Sequence, residues 1–191
     1  MDQLIRIKIK EECQEVKIIY RSAQFEDWED VALIHINNWR ENYRGILTDD
    51  FLDNHVFENR RSLWKSRFEA TSENQYILIA QYEEEIIGFA CTFLEYKGKS
   101  ENYLDNLHVK SEYRGKKIGA ELLSRSAHYS FENKPNLPFY LLVYNENQLG
   151  IAFYKRMGAD ISDPFDHENE DGSYSQIVKC SWPSLSSLTT P

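Results

Sequence analysis

Residues 113–120 read YRGKKIGA, so two glycines and three cationic side chains (Arg114, Lys116, Lys117) stand ahead of a run in which Ala120, Leu123, Ala127 and Phe131 recur at spacings of 3, 4 and 4. That period is the signature of an amphipathic helix. The glycines and the positive charge therefore sit at a helix start, where unpaired N–H groups and the helix dipole favour an anion such as phosphate. A solvated basic turn capped by a helix has the same composition. The loop alone leaves both readings open, and its flanks must decide.

Upstream, YLDNLHVK (103–110) reads as a strand, and QYILIAQY (75–82), the acidic turn Glu83-Glu84-Glu85 and IIGFACTFLEY (86–96) read as an antiparallel hairpin of β-branched and aromatic residues. Downstream, Pro135 and Pro138 close the helix and FYLLVY (139–144) is a continuous apolar run of the kind found in strands buried on both faces. Leu149, Ala152, Phe153 and Met157 then give a helical stripe ended by Gly158. A polar, acidic loop (163–171) precedes a last strand, YSQIVKCSW, and a Ser/Thr tail expected to fray.

Toward the N-terminus, VKIIYR (16–21) reads as a strand, and Trp28, Ala32, Ile36, Trp39 and Tyr43 form a helical stripe ended by Gly45. Two more helices are expected, a short one from Thr48-Asp49-Asp50 and one over 58–70. Ile5, Ile7 and Ile9 alternate with Arg6, Lys8 and Lys10. This is strand periodicity, for an added edge strand or a dimer contact. The order of elements predicts an α/β (α+β) fold, a mixed sheet flanked by helices. No internal repeat or Pro/Gly/Ser-rich linker divides the chain, so the expected organisation is an N-terminal extension (1–15), a single domain (16–182) and a flexible tail (183–191).

Composition excludes several functions. The net charge of −9 argues against a general nucleic-acid binder, for which phosphate contacts dominate affinity. Yet Lys110 to Arg125 holds five basic and two acidic residues, a local +3. No apolar run approaches the ~18 residues that span a bilayer, and MDQLIRIKIK lacks the core of a signal peptide, so no membrane association and a cytoplasmic location are expected. The three cysteines (Cys13, Cys91, Cys180) and five histidines have no metal-ligand spacing, which predicts ordinary thiols and no metal. The nucleotide loop GxxxxGK[ST] fails at Gly119-Ala120-Glu121, and the dinucleotide pattern GxGxxG is absent.

Read together, LDNLHV, RGKKIGA and NENQLGIAFYKRMGA (145–159) resemble the Gcn5-related N-acetyltransferase (GNAT) family, over roughly Val16 to Cys180 and most strongly from Leu104 to Gly158. The resemblance implies a mainly antiparallel central sheet and acetyl-CoA as co-substrate. In that family the loop is written Q/R-x-x-G-x-G/A and binds the pyrophosphate. Arg114 fills its first position and Gly119 its last, but Lys117 replaces the first glycine. By carry-over the loop residues Arg114, Gly115, Lys116, Lys117, Ile118, Gly119 and Ala120 would hold the phosphates. The backbone of Leu107, His108 and Val109 would pair with the pantetheine arm and polarise the thioester carbonyl. The family's N-x-x-A-x-x-x-Y is met by Asn147, Gly150 in place of alanine, and Tyr154. WRENYRGIL (39–47) resembles the first-helix segment that borders the acceptor.

Acetyl transfer to an amine needs a base, because an alkyl ammonium has a pKa of about 10. Asp105 is the first candidate, with Glu101 and His108 as substitutes. Strict alternation would put Asp105, Leu107 and Val109 on one face of the strand and Leu104, Asn106 and His108 on the other. Tyr154, catalytic by resemblance, would protonate the departing thiolate, or else be a packed aromatic. Asn147 would bond the pantetheine amides, or else simply cap a helix. Trp39 and Tyr43, one turn apart, would line the acceptor site or belong to the core. The acidic loop could attract a cationic acceptor. The leading expectation is an acetyl-CoA-dependent N-acetyltransferase acting on a primary amine of a small molecule or peptide, and a homodimer is possible. The alternatives are a non-catalytic acyl-CoA sensor or partner-binding module on the same fold and, against the overall acidity, a nucleic-acid adaptor.

Overall fold

The computed structural model describes residues 5–8, 15–70 and 72–188. Among these residues nine strands form one sheet: β1 (Ile5–Lys8), β2 (Glu15–Ser22), β3 (Gln75–Tyr82), β4 (Glu85–Phe93), β5 (Asn102–Val109), β6 (Phe139–Tyr144), β7 (Asp160–Ile161), β8 (Phe165–Glu168) and β9 (Tyr174–Trp182). Strands β1 to β6 follow in order, β9 pairs with β6, and β7 and β8 share the outer edge of β9. Every pairing is antiparallel except β5 with β6. The helices are α1 (Trp28–Asn42), α2 (Val56–Glu69), α3 (Ile118–Asn133) and α4 (Gln148–Arg156).

The apolar periods explain the layers. On one face Val31 and Ile34 of α1, with Trp64 and Phe68 of α2, pack against Ile77, Ile79, Phe89 and Cys91. On the other, Ala120, Leu123, Ala127 and Phe131 of α3 meet Leu78, Ala80, Ala90 and Leu104, and α4 adds Phe153 and Tyr154. Trp64 and Trp182 are fully buried, each with its indole N–H bonded, to His35 Nδ1 at 2.9 Å and to the Met157 carbonyl at 2.8 Å.

Three expectations change. The two helices expected after Thr48 run together, because a π-helical turn at Phe51–His55 leads straight into α2. The acidic loop contains β8, whose exposed residues give no apolar alternation to read. The chain end expected to fray packs as far as Leu188, which is buried beside Leu185 against the core. The first strand pairs antiparallel with β2 at the sheet edge. Cys13, Ile9 and the side chains of Ile5 and Ile7, on which the dimer contact depended, lie outside the described residues. Cys91 and Cys180 are buried free thiols.

Candidate functional site

The parallel pair β5–β6 holds for two residues only, Asn102 opposite Phe139 and Tyr103 opposite Tyr140, whose rings stack at 4.9 Å. Beyond that point the strands part, and Leu104–Val109 and Leu141–Tyr144 become opposite walls of a cavity of about 1060 Å³. The facing edges of the two strands keep backbone groups with no sheet partner, and such groups call for an extended ligand or water. Two local features bend β5 here. Its ladder with β4 slips between Cys91/Asn106 and Thr92/Leu104, leaving Asp105 as an extra, bulged residue, and bulges raise local twist. Gly88 on β4 lets the chain come close: a Cβ there would stand 2.8 Å from the His108 carbonyl oxygen.

The bulge corrects the expected faces of β5. Leu104, Leu107 and Val109 pack toward the α3 core. Asp105, Asn106 and His108 all turn toward α1 and α2, where Arg67 reaches both Asp105 Oδ2 (2.7 Å) and Asn106 Oδ1 (3.0 Å) and the His108 ring lies 4.6 Å from that of His35. Asp105 and His108 therefore share one wall of the cavity. Glu101 does not line it and is ion-paired with Lys179.

At the α3 start, Gly115 (φ 76°) and Lys117 (φ 62°) both adopt left-handed backbone. The amides of Gly115 to Ala120 have no backbone acceptor among the described residues, the next one, Glu121, donating to the Lys117 carbonyl. They form a concavity of N–H groups on the dipole end of a long helix. A Cβ on Gly119 would meet Val109 and Phe153 only at ordinary contact distances of 3.8 and 4.0 Å. Packing does not demand that glycine, and what it leaves open is the approach to the cavity. Arg114 donates to Asn38 Oδ1 (2.6 Å), Glu41 Oε2 (3.1 Å) and the Val109 carbonyl (3.3 Å), so it ties the loop to α1. Lys116 Nζ lies 4.8 Å above the Tyr113 ring. Of the loop, Arg114, Gly115 and Lys117 to Ala120 line the cavity.

From α4 come Asn147 and Tyr154, both in the cavity wall. Asn147 caps the helix by accepting the Gly150 N–H at 3.0 Å, and its amide nitrogen remains available as a donor. Gly150 is the partner this cap requires, since a Cβ there would come 2.7 Å from Asn147 Nδ2. Tyr154 is half-buried between Phe153 and Trp182, and burial, with Tyr43 and Cys180 nearby, pushes its phenol well above the usual value. It keeps its proton throughout the neutral range.

On the α1–α2 side, Trp39 and Tyr43 line the same cavity, their rings 5.5 Å apart, and Tyr43 meets Tyr144 edge-to-face at 5.0 Å. Burial moves the Tyr43 phenol up to about 12. His108 is pushed down to about 3 by burial, with Arg114 and Arg60 adding to it, so its imidazole is neutral. Buried His35 is likewise held well below its usual value, by burial first and then by His108, Arg60 and Arg67. His35 Nδ1 accepts from Trp64, so its proton sits on Nε2, which has no partner among the described residues.

Sequence reasoning missed Arg60 and Arg67, both in the cavity wall. The signal was present: they are seven residues apart, with Trp64 and Phe68, on the inward stripe of α2. Of the acidic stretch only His167 and Glu170 border the cavity, and Glu170 is bonded to Arg60. Asp171 instead accepts the Thr48 N–H at 2.6 Å. No cluster of metal-ligating side chains occurs among the described residues, and no helix among them is long and apolar enough to cross a membrane.

This geometry has relatives. The chain is 26% identical over 179 residues to the uncharacterized N-acetyltransferase YuaI of Bacillus subtilis, covering 91% of this chain and 97% of that protein. It is 27% identical over 154 residues to a spermidine N(1)-acetyltransferase of Thermoplasma acidophilum, covering 78% and 91%. The fold matches the crystal structure of the PaiA N-acetyltransferase of Thermoplasma acidophilum in complex with coenzyme A, with a TM-score of 0.67, 22% identity, and coverage of 86% of this chain and 99% of that one. Residues 14–159 match the model of the acetyltransferase (GNAT) family, and with the parted strands and the glycine loop in place, the chain belongs to that family of N-acetyltransferase enzymes.

Proposed function

We propose that the protein moves an acetyl group from acetyl-CoA to a primary amine of a small molecule or peptide by direct attack of the amine on the thioester. The observation that carries this reading is the single cavity that joins the unpaired edges of β5 and β6 to the open amides of Gly115–Ala120 and the protonated Tyr154 phenol. The loop amides, with Lys117, would hold the pyrophosphate. The edge of Leu107, His108 and Val109 would hold the pantetheine arm, with Asn147 Nδ2 as a further donor. The acetyl thioester supplies the acyl group and the thiolate leaving group.

The chain's own residues then divide the proton work. Asp105, its carboxylate oriented by Arg67, takes the ammonium proton directly or through water, while neutral His108 beside it adds no competing charge. A backbone N–H of the parted edge polarises the carbonyl, a role worth about 3 kcal/mol where it has been isolated. Tyr154 returns a proton to sulfur. Trp39 and Tyr43 border the acceptor.

The test is release of free CoA thiol from acetyl-CoA by purified protein across a broad panel of amines. Turnover with at least one amine is expected. CoA binding without turnover on any amine would replace the transferase reading with a non-catalytic acyl-CoA sensor.

Lys117 offers a second check. A non-glycine residue in left-handed backbone carries a cost of about 1–2 kcal/mol, partly offset in glycine by chain entropy. Lys117→Gly is expected to leave the melting temperature unchanged or raised and to weaken CoA binding, as measured by calorimetry. Unchanged or tighter binding would show that the side chain has no part in holding phosphate.

A further inference from the structure

Arg60 carries a full charge yet is 4% exposed, its guanidinium 4.4 Å over the Trp39 ring. Burying a charge is costly unless it is paired. Here the partners are the Asn59 side-chain oxygen and one carboxylate, Glu170, whose own side chain is 47% exposed on the turn after β8. Seven residues along α2, Arg67 stacks on Trp64 and Phe93, at 5.0 and 5.2 Å, and uses Nη1 for Asp105 and Asn106. Arg60 Nη1, and Arg67 Nε and Nη2, make no hydrogen bond among the described residues. Two oriented guanidinium forks thus stand in the cavity wall beside Trp39, Tyr144 and His108, each holding a carboxylate and each with donors to spare.

An acceptor that is purely cationic fits this wall poorly. Asp105 and Glu170, the carboxylates that line the cavity, are each engaged by an arginine, and a second ammonium would lie against both guanidiniums. A carboxylate fits well, because the wall already binds one: Glu170 occupies Arg60 from an exposed, displaceable position, and planar forks match carboxylates bidentately. Resting on the acetyl-transfer reading, we propose that the amine acceptor also carries a carboxylate, as an amino acid does, and that Arg60, with Arg67 beside it, binds that group in place of Glu170.

The experiment compares acceptors that differ by one carboxylate: lysine with cadaverine, ornithine with putrescine, tyrosine with tyramine. Equilibrium binding to the full-length, CoA-loaded protein and thiol release are both measured. The carboxylated member of at least one pair is expected to bind about tenfold more tightly or better, the scale of one or two charge-assisted hydrogen bonds. Arg60→Gln should bring that ratio close to one. Because Arg60→Gln could disturb the stack on Trp39, Glu170→Gln is the second variant. It removes the competing carboxylate and should tighten the carboxylated member several-fold while leaving its partner unchanged or weaker. A merely structural Arg60–Glu170 pair would lower thermal stability in Glu170→Gln and leave the ratio where it was, which overturns the proposal. Equal or stronger binding of the decarboxylated member in every pair overturns it too. Amine acetylation without carboxylate preference would end the proposal and leave the transferase standing. Arg60-dependent carboxylate binding without thiol release would do the reverse.

Discussion

Tyr154→Phe is expected to lower kcat by about 10²–10³-fold, within the range a positioned general acid supplies, with little change in the affinity for CoA. The phenol is half-buried between Phe153 and Trp182 and keeps its ring packing in the variant, so the loss should fall on the proton alone. Burial raises its pKa, which means the acid form persists as pH rises through the neutral and mildly alkaline range. The wild-type rate should therefore show no fall attributable to this group up to at least pH 9. Steady-state kinetics of both proteins, with melting temperatures to confirm equal folding, check the prediction. A variant with unchanged kcat would assign Tyr154 to packing and leave thiolate protonation to solvent.

Acid should destabilise the protein earlier than its carboxylates alone would. His35 and His108 face one another at 4.6 Å, and both are held neutral by burial first, His35 then by His108, Arg60 and Arg67 and His108 then by Arg114 and Arg60. In the unfolded chain each titrates near 6.5. Below that value the unfolded state binds protons that the folded state refuses, so the contribution is complete above about pH 6.5 and is lost as pH falls toward 3. The slope approaches about 1.4 kcal/mol per pH unit for each imidazole that stays neutral. Unfolding in denaturant between pH 7.5 and 4.5 should show stability falling by several kcal/mol, beginning above pH 5. Ion-paired carboxylates such as Asp27, held low by Arg21, act only at lower pH. His35→Gln or His108→Gln, each compared with wild type across the same range, should flatten the slope. A flat profile in wild type down to pH 5 would mean that both imidazoles charge in the folded state, and a halved slope that one of them does.

Much of this was legible in the chain. The strands at 75–82 and 139–144 were read to their boundaries, because apolar runs bounded by polar turns and proline leave few alternatives. The loop at 113–120 was readable because glycine and lysine at a helix start have a physical purpose. The parts that were not legible share a cause. Nothing in LDNLHV marks Asp105 as a bulge, since the slip is decided by how β4 and β5 pair across the sheet. Arg60 and Arg67 read as solvated positions on a polar helix, and only Trp39 above and Asp105 opposite make them part of the wall. β8 is exposed along its length, and its pairing with β9 is a backbone matter that no side-chain pattern records.

On the proposed function, the gap between β5 and β6 and the amides of 115–120 receive acetyl-CoA. Amide hydrogen exchange of the full chain with and without CoA tests it most directly, because unpaired edge amides exchange readily and ligand-bonded ones do not. Slowed exchange is expected in three segments: 104–109, 115–120 and 141–144. CoA binding with no protection in those segments, or with protection confined elsewhere, would contradict it.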